Sequence, residues 1–256
     1  LIAEVYNPQE YRNYIHLGKM DYLYDKVAFY DKLKEIVQGK SNTDGITDIQ
    51  NSMADIEHHM LHFLDNHDEQ RLASPEFAGT PQKGKPLMVV STTISTSPTM
   101  VYFGQEVGEA GNENAGFGTH SRTSIFDYIG VPNHQRWMNG GKFDGGQLTQ
   151  EEKELRDFYK RILNFSLNST ALMGEYQEIQ TVNRQTTQGY DPGIYAFTRW
   201  SDTQKLVIVT NFSWLSTSNF ELKIPSEIIR KWNLKDGNYT VTDQLYNKSS
   251  VQLQVL

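Results

Sequence analysis

Residues 63–71 read FLDNHDEQR, in which an apolar, strand-like start passes directly into polar and charged side chains. Residues 1–6 read LIAEVY, and there too an apolar run delivers a carboxylate, that of Glu4. In an α/β barrel, side chains at the carboxyl ends of parallel strands converge on one mouth. Two carboxylates at one mouth are the minimal equipment for cleaving a glycosidic bond. The two stretches therefore predict a barrel whose chemistry is carried by Glu4 and Asp68.

The first two-thirds of the chain alternates between strand-like and helix-like patterns. Candidate strands at 1–6, 20–24, 60–64 and 99–103 are separated by segments with helical spacing of apolar residues. Residues 149–168 begin with a capping box, TQEE, and continue as a long amphipathic helix. This pattern predicts four βα units, which is half of the eight in a closed (β/α)₈ barrel.

After about residue 172 the period of the apolar residues changes to two, which is typical of an antiparallel all-β module. The predicted strands cover 193–200, 205–212, 219–224, 239–245 and 251–256. We therefore predict two domains, half of an α/β barrel over 1–172 and a small β-sandwich over 173–256. Residues 111–118, which are rich in glycine and asparagine, predict a rim loop of the barrel.

Composition narrows the choice of partners. The 256-residue chain has a formal net charge of −7, which disfavours nucleic acid because no basic patch is available to displace counterions. Cysteine is absent, so disulfides and a thiol nucleophile are excluded. No apolar run approaches the roughly 18 residues that a membrane span needs. Composition does not decide localisation, but we expect export (periplasmic, cell-surface or secreted) rather than the cytoplasm.

Glu4 lies between Leu-Ile-Ala and Val-Tyr, so we expect it in apolar, aromatic surroundings that suit a proton-donating acid. The alternative is a glutamate at a strand end that forms a salt bridge. The neighbouring Tyr6 could stack on a sugar ring or pack against the protein.

The triplet Asn66-His67-Asp68 would be costly to bury without hydrogen-bond partners, and the hydroxyls of a carbohydrate would supply them. His67 could donate to vicinal hydroxyls, and an ionised Asp68 could stabilise a positively charged transition state. The alternative is a loop in which asparagine and aspartate cap the next helix. Arg71 could orient a carboxylate or lie in solvent.

His58 and His62 have the i, i+4 spacing of a zinc pair. A zinc site would need a helix there and a third ligand. Because the run leads into a strand, we expect His58, His59 and His62 to be packing or surface residues, and we predict no metal site in this chain.

Four stretches resemble motifs of the α-amylase superfamily of glycoside hydrolases. Residues 1–6 resemble its β5 motif, 63–68 its β7 motif and 101–106, VYFGQE, its β8 motif. Residues 239–245, YTVTDQL, resemble the closing strands of its C-terminal sandwich. The order of the motifs matches that of the family. The resemblance implies the second half of a catalytic (β/α)₈ TIM barrel followed by an all-β antiparallel sandwich.

The resemblance also implies roles for residues. Glu4 would be the general acid/base and Asp68 the stabiliser of the transition state. The substrate-binding residues would be His67, Asn66, Arg71 and Tyr6. Gln105 and Glu106 would line the mouth or support the barrel.

Some parts of the family pattern have no match here: the motif that bears the nucleophilic aspartate, the β3 motif and an insert that often binds calcium. The chain is therefore expected to be the C-terminal fragment of a retaining hydrolase acting on α-1,4-glucans such as starch and maltooligosaccharides. We expect no cofactor in this chain, with any calcium in the missing N-terminal half. Alone, the fragment should be inactive, and it should dimerise or swap through unpaired sheet edges.

Three alternatives stay open at this point. The chain could belong to another α-glucan enzyme of the superfamily, such as a neopullulanase, cyclomaltodextrinase, glucosidase or transglycosylase. It could be a non-catalytic binding or accessory member, although the presence of both Glu4 and Asp68 argues against that. A carbohydrate-binding module confined to the residues after 173 would leave residues 1–106 unexplained.

Overall fold

The structure is a computed structural model that describes residues 1–111, 121–123, 130–214, 217–247 and 249–256. Most of the predicted rim loop, residues 112–118, therefore lies outside the described residues. No helix in these ranges is both long and apolar enough to cross a bilayer.

Four short parallel strands form the sheet of the N-terminal part, and they lie side by side in chain order. They are β1 (Ile2–Ala3), β2 (Tyr22–Tyr24), β3 (Met60–Phe63) and β4 (Thr99–Met100). Neighbouring parallel strands need long crossovers, which are usually helical. The crossovers here contain α1 (Tyr11–His16), α2 (Asp31–Val37), α3 (Asp44–Ser52) and α4 (Gly84–Thr93). The four strands predicted from the sequence are thus confirmed, although each is shorter than its apolar run.

Strand β3 is buried along its whole length, as expected for a parallel strand covered on both faces. On one face, Phe63 stacks on Tyr30 with ring centroids 4.9 Å apart and contacts Tyr24 at 5.1 Å. On the other face, His62 stacks on Phe29 at 4.3 Å. These contacts hold the strand that leads into the polar segment after Phe63.

Two further helices follow the sheet, α5 (Pro132–Met138) and α6 (Gln150–Asn168). The predicted capping box of α6 is present: Thr149 Oγ1 accepts from the Glu152 N–H at 3.3 Å, and Glu152 accepts from the Thr149 N–H at 2.9 Å. These bonds satisfy N–H groups that the first turn of a helix otherwise leaves without partners. The apolar face of α6 is buried through Leu155, Phe158 and Ile162.

The C-terminal part is antiparallel, as predicted. One sheet has the order β5 (Glu175–Glu178), β6 (Ile194–Trp200) and β7 (Lys205–Asn211), and a hairpin pairs β8 (Gly237–Thr242) with β9 (Ser250–Val255). Strand β5 and the helices α7 (Gln180–Thr186) and α8 (Ser226–Lys231) were not predicted.

The prediction of a strand at 219–224 is wrong. The backbone of Lys223 bonds to a side chain instead of a neighbouring strand: Asn183 Nδ2 donates to its carbonyl and Asn183 Oδ1 accepts from its N–H, both at 2.8 Å. Because these bonds use the groups that would form a ladder, the segment has period-two hydrophobicity without sheet pairing.

The two parts share one apolar core. Tyr195 and Phe197 of β6 belong to the same buried cluster as Phe63 and Phe158 of the N-terminal part. Arg199, which is almost fully buried, donates to the carbonyl of Thr93 at the end of α4 at 3.2 Å. The predicted boundary near residue 172 therefore marks a change of secondary structure within a continuous core.

Candidate functional site

Glu4, His67 and Asp68 converge at one edge of the parallel sheet. One ligand atom of each, the two carboxylate oxygens and a ring nitrogen, all lie within 4.8 Å of one another. Glu4 comes directly after β1 and Asp68 follows β3, with β2 between these strands. Parallel strands present their carboxyl ends at the same edge, so this topology explains the convergence. The structure thus brings together the two carboxylates that the sequence singled out, and their catalytic roles stay predictions.

The loop after β3 is shaped by Asn66. Its side-chain oxygen accepts from the N–H groups of Asp68 at 2.9 Å and Glu69 at 2.8 Å. This is a local side-chain turn of the kind that asparagine favours. Asn66 is only 2% exposed, whereas the side chains of His67 and Asp68 are about 40% exposed. In this structure Asn66 therefore caps the backbone of its own loop and not the start of a helix, and its contact with a sugar stays a prediction.

Arg71 also departs from its predicted role. It is fully buried, at 0% exposure, so no surface is left for contact with a sugar. Its Nη1 donates to the carbonyl of Phe103 at 2.7 Å and faces the carboxylate of Asp65 at 3.3 Å. The alternative in which Arg71 pairs with a carboxylate is the observed one, and that carboxylate, Asp65, was not singled out from the sequence.

Glu4 is exposed. Among the described residues, this contradicts the prediction that apolar and aromatic side chains surround it. Tyr6 is 57% exposed, and burial of its phenol raises its pKa, with a further rise caused by the charges of Glu4, Glu69 and Asp68. Tyr24 at the end of β2 is half-buried, and its pKa is raised by burial and then by Glu4 and Asp68. The charges of Glu4 and Asp68 therefore act on both phenols, and Tyr24 was not singled out from the sequence.

A partly buried group of charges, Lys26 with Glu69 and Asp31, flanks Asp68 on the β2 side. Lys26 Nζ lies 3.5 Å from the carboxylate of Glu69 and 2.7 Å from that of Asp31. The Tyr30 hydroxyl donates to Glu69 at 3.4 Å. Lys26 comes two residues after the end of β2. Its place just beyond the carboxyl end of a parallel strand is the signal by which the sequence could have predicted it as a site residue.

The group can move protons and bind hydroxyls. Its carboxylates accept hydrogen bonds, and the His67 Nε2 lies 3.4 Å from the Asp68 carboxylate. Glu4, His67 and Asp68 also offer the ligand types that a divalent metal takes, and they are the one set of this kind within the described ranges. Glu4 is exposed, and the side chains of His67 and Asp68 are partly exposed.

Of the three clustered histidines, His58 and His59 precede β3 and His62 lies within it. His62 is buried, and its Nδ1 lies 2.9 Å from the carbonyl of Ser91. His58 and His59 form a short turn with their rings 4.2 Å apart, and His59 Nδ1 lies 2.8 Å from the Asp21 carbonyl.

Gln105 lies in the short turn that follows β4, and its role in lining the mouth or supporting the barrel stays a prediction. It is buried, and its Nε2 donates to the Tyr159 hydroxyl at 3.1 Å. Its Oε1 accepts from the N–H of Tyr102 at 3.3 Å. Gln105 therefore connects the exit of β4 to α6.

A cavity of about 620 Å³ lies elsewhere, between β7 and the β8–β9 hairpin. Its walls are mostly aliphatic and aromatic, including Leu206, Ile208 and Trp232. None of the three converging side chains lines this cavity, so it is separate from the candidate site.

Comparison with known proteins gives matches in structure alone. No family model and no curated protein matches the sequence. The noncanonic maltogenic alpha-amylase AmyB from Thermotoga neapolitana is 15% identical, with a TM-score of 0.63, and the match covers 99% of this chain and 49% of that chain. The alpha-amylase from H. orenii is 16% identical, with a TM-score of 0.59 and coverage of 99% and 51%.

A third structure, the cyclic alpha-maltosyl-(1→6)-maltose hydrolase from Arthrobacter globiformis in complex with maltose, is 15% identical, with a TM-score of 0.51 and coverage of 99% and 47%. The chain therefore spans about half the length of the structures that it matches. The likeness extends over nearly all of the chain, in both the parallel and the antiparallel part. This chain has the fold of the corresponding portion of alpha-amylase family enzymes.

Proposed function

We propose that this chain carries the general acid/base, Glu4, and the transition-state stabiliser, Asp68, of an α-amylase-type retaining glycoside hydrolase acting on α-1,4-glucans. The observation that carries the proposal is the approach of the two carboxylates and His67 to within 4.8 Å at one edge of the parallel sheet. The structural neighbours, whose names describe α-glucan hydrolases, support the substrate class.

In the first chemical step, Glu4 donates its proton to the glycosidic oxygen as the bond to the anomeric carbon breaks. A carboxylate nucleophile from outside the described residues bonds to that carbon and forms a glycosyl ester. Asp68 stays ionised and stabilises the positive charge that develops on the sugar ring. His67 donates to ring hydroxyls and orients the sugar. In the second step, a water molecule attacks the anomeric carbon while Glu4 takes its proton. The ester bond breaks, and the carboxylate nucleophile is released.

The nucleophile requires more of the barrel than the described sheet contains. Among the described residues, β1 pairs with β2 alone and β4 with β3 alone, so each outer strand has an edge without a strand partner. We propose that four further strands close this sheet into a (β/α)₈ barrel and bring the nucleophile to the mouth. The chain by itself is then expected to be inactive.

The direct test uses the complete protein that contains this chain, with maltoheptaose and starch as substrates. Release of reducing ends should fall about 10³-fold in Glu4→Gln and at least about 10²-fold in Asp68→Asn. Glu10→Gln is the matched control, because Glu10 is an exposed glutamate whose carboxylate accepts a hydrogen bond from Asn13 Nδ2 of α1. It should retain wild-type turnover.

The same assay separates the competing class of protein. A non-catalytic binding or accessory member would bind maltooligosaccharides and release no reducing ends, and neither Glu4→Gln nor Asp68→Asn would change a rate. That result would overturn the proposal. Preference for other linkages, or transfer in place of hydrolysis, would keep the two residue roles and change the enzyme class within the superfamily.

A further inference from the structure

Arg71 occupies a position that the proposed chemistry does not use directly. Its side chain is fully buried, with Nη1 donating to the Phe103 carbonyl at 2.7 Å and Nε donating to Thr123 Oγ1 at 2.6 Å. The guanidinium lies over two rings, 4.5 Å from the centroid of Tyr102 and 4.7 Å from that of Phe103. All of these partners come after β4, whereas Arg71 itself comes after β3.

The segment that carries Asp68 is held on both sides by buried groups. Before it, the Asn66 side chain bonds to the N–H of Asp68. After it, the N–H of Arg71 donates to the Ser121 carbonyl at 2.8 Å. Asp65 closes the loop, because its carboxylate accepts from the N–H of Leu72 and faces the Arg71 guanidinium. Asp68 therefore stands on a short loop whose two ends are anchored below the surface.

The chemistry of this position suits arginine more than lysine. A planar guanidinium can donate in several directions at once and stack on aromatic faces, whereas an ammonium is a compact point charge. Here Nη1 is directed to Phe103 and Asp65 and Nε to Thr123, while the guanidinium lies over the ring of Tyr102. A lysine would reach only part of this set.

We propose that Arg71 is a positioning residue that ties the exit of β3 to the exit of β4 and thereby sets the position of Asp68 relative to Glu4. It acts without touching the sugar. This inference rests on the proposed function, since it concerns the geometry of the same two carboxylates.

The kinetic test uses Arg71→Lys in the complete enzyme. We expect kcat on maltoheptaose to fall about 100-fold, because a misplacement of about 1 Å is enough for a loss of that size, while KM stays within about threefold. Thr123→Val, which removes only the acceptor of Nε, should lower kcat by a smaller factor of about ten. It keeps the inference testable if Arg71→Lys fails to fold.

Arg199→Lys is the matched control. Arg199 is almost as fully buried, and it donates to the carbonyls of Thr93, Leu172 and Gly174 and to no residue of the segment 65–72. The control should lose stability and keep kcat. An equal loss of kcat in both arginine variants would reduce Arg71 to a general stabilising role, and a raised KM with unchanged kcat would indicate direct substrate contact. Either result overturns the inference.

A crystal structure of the Arg71→Lys enzyme provides a readout that does not depend on turnover. The Asp68 carboxylate should move away from Glu4 by about 1 Å or more. An unmoved Asp68 would overturn the positioning role. Absence of α-glucan hydrolysis by the wild-type enzyme would instead count against the proposed function, so the two failures are distinguishable.

Discussion

Glu4 and Asp68 are 64 residues apart in the chain, yet their carboxylate oxygens lie within 4.8 Å of each other. The separation is bridged by parallel strands that deliver both residues to one edge of the sheet. At this separation both carboxyl groups can act on one sugar ring, as the proposed roles of Glu4 and Asp68 require.

The turn made by Asn66 should be essential for the position of Asp68. Asn66→Ala removes the oxygen that accepts from the partly buried N–H groups of Asp68 and Glu69, and the loss of each such bond costs about 1 kcal/mol. We expect lower thermal stability and a loss of turnover in the complete enzyme. Asn66→Asp keeps an acceptor in place and should retain more of both. Equal behaviour of the two variants would argue against the turn as the cause.

The buried carboxyl of Asp65 should make stability depend on pH. Burial raises its pKa to about 6 from an ordinary value of 3.8, and the neighbouring Arg71 opposes that rise. The folded state thus binds more protons than the unfolded state between these two values. Stability attributable to Asp65 should therefore fall as pH rises from about 4 to about 6, and change little above that range.

The measurement is the midpoint of thermal unfolding across pH 4–7 for the wild type and for Asp65→Asn. The variant should have a flatter profile between pH 4 and 6, whatever constant destabilisation results from leaving Arg71 without its carboxylate. Between full protonation and full ionisation of Asp65, its contribution to the free energy of unfolding should change by an amount on the order of 3 kcal/mol. Parallel profiles for the two proteins would contradict a raised pKa for Asp65.

Much of the fold is visible in the sequence because its signals are local. Apolar runs that end in polar residues predicted the four parallel strands, and the TQEE capping box predicted the start of α6 at the observed residue. The convergence of Glu4 and Asp68 followed from a general property of parallel strands. These features depend on residues near one another in the chain.

The failures involve partners that are distant in sequence. Arg71 is buried because of Phe103 and Thr123, which are 32 and 52 residues away. The segment at Lys223 is not a strand because Asn183, 40 residues earlier, binds its backbone. No local pattern shows that a polar side chain will be covered or that a strand-like run will find a side-chain partner.

The capping box of α6 should contribute measurably to stability. Thr149→Ala removes the oxygen that accepts from the Glu152 N–H, and loss of such a cap typically costs about 1 kcal/mol. Thr149→Ser keeps the hydroxyl and should be close to wild type. Chemical denaturation of both variants tests the expectation, and an unchanged free energy of unfolding in Thr149→Ala would refute it.

The outer edges of the parallel sheet should make the isolated chain associate. Ile2 on β1 is exposed, and β1 has no strand on its outer side among the described residues. Open edges of this kind pair readily with other chains, and a charged residue on the edge discourages pairing. Size-exclusion chromatography with light scattering should show dimers or larger species, and Ile2→Lys should reduce them. A clean wild-type monomer would count against open edges.

The role of Glu4 is tested most directly by the dependence of the Glu4→Gln enzyme on the leaving group. An acid that protonates the departing oxygen matters for a sugar leaving group and little for fluoride, which departs without a proton. The complete Glu4→Gln enzyme should lose about 10³-fold in kcat/KM on maltoheptaose while its kcat/KM on α-maltosyl fluoride stays close to the wild-type value. An equal loss on both substrates, or wild-type activity on maltoheptaose, would contradict the assignment of Glu4 as the acid.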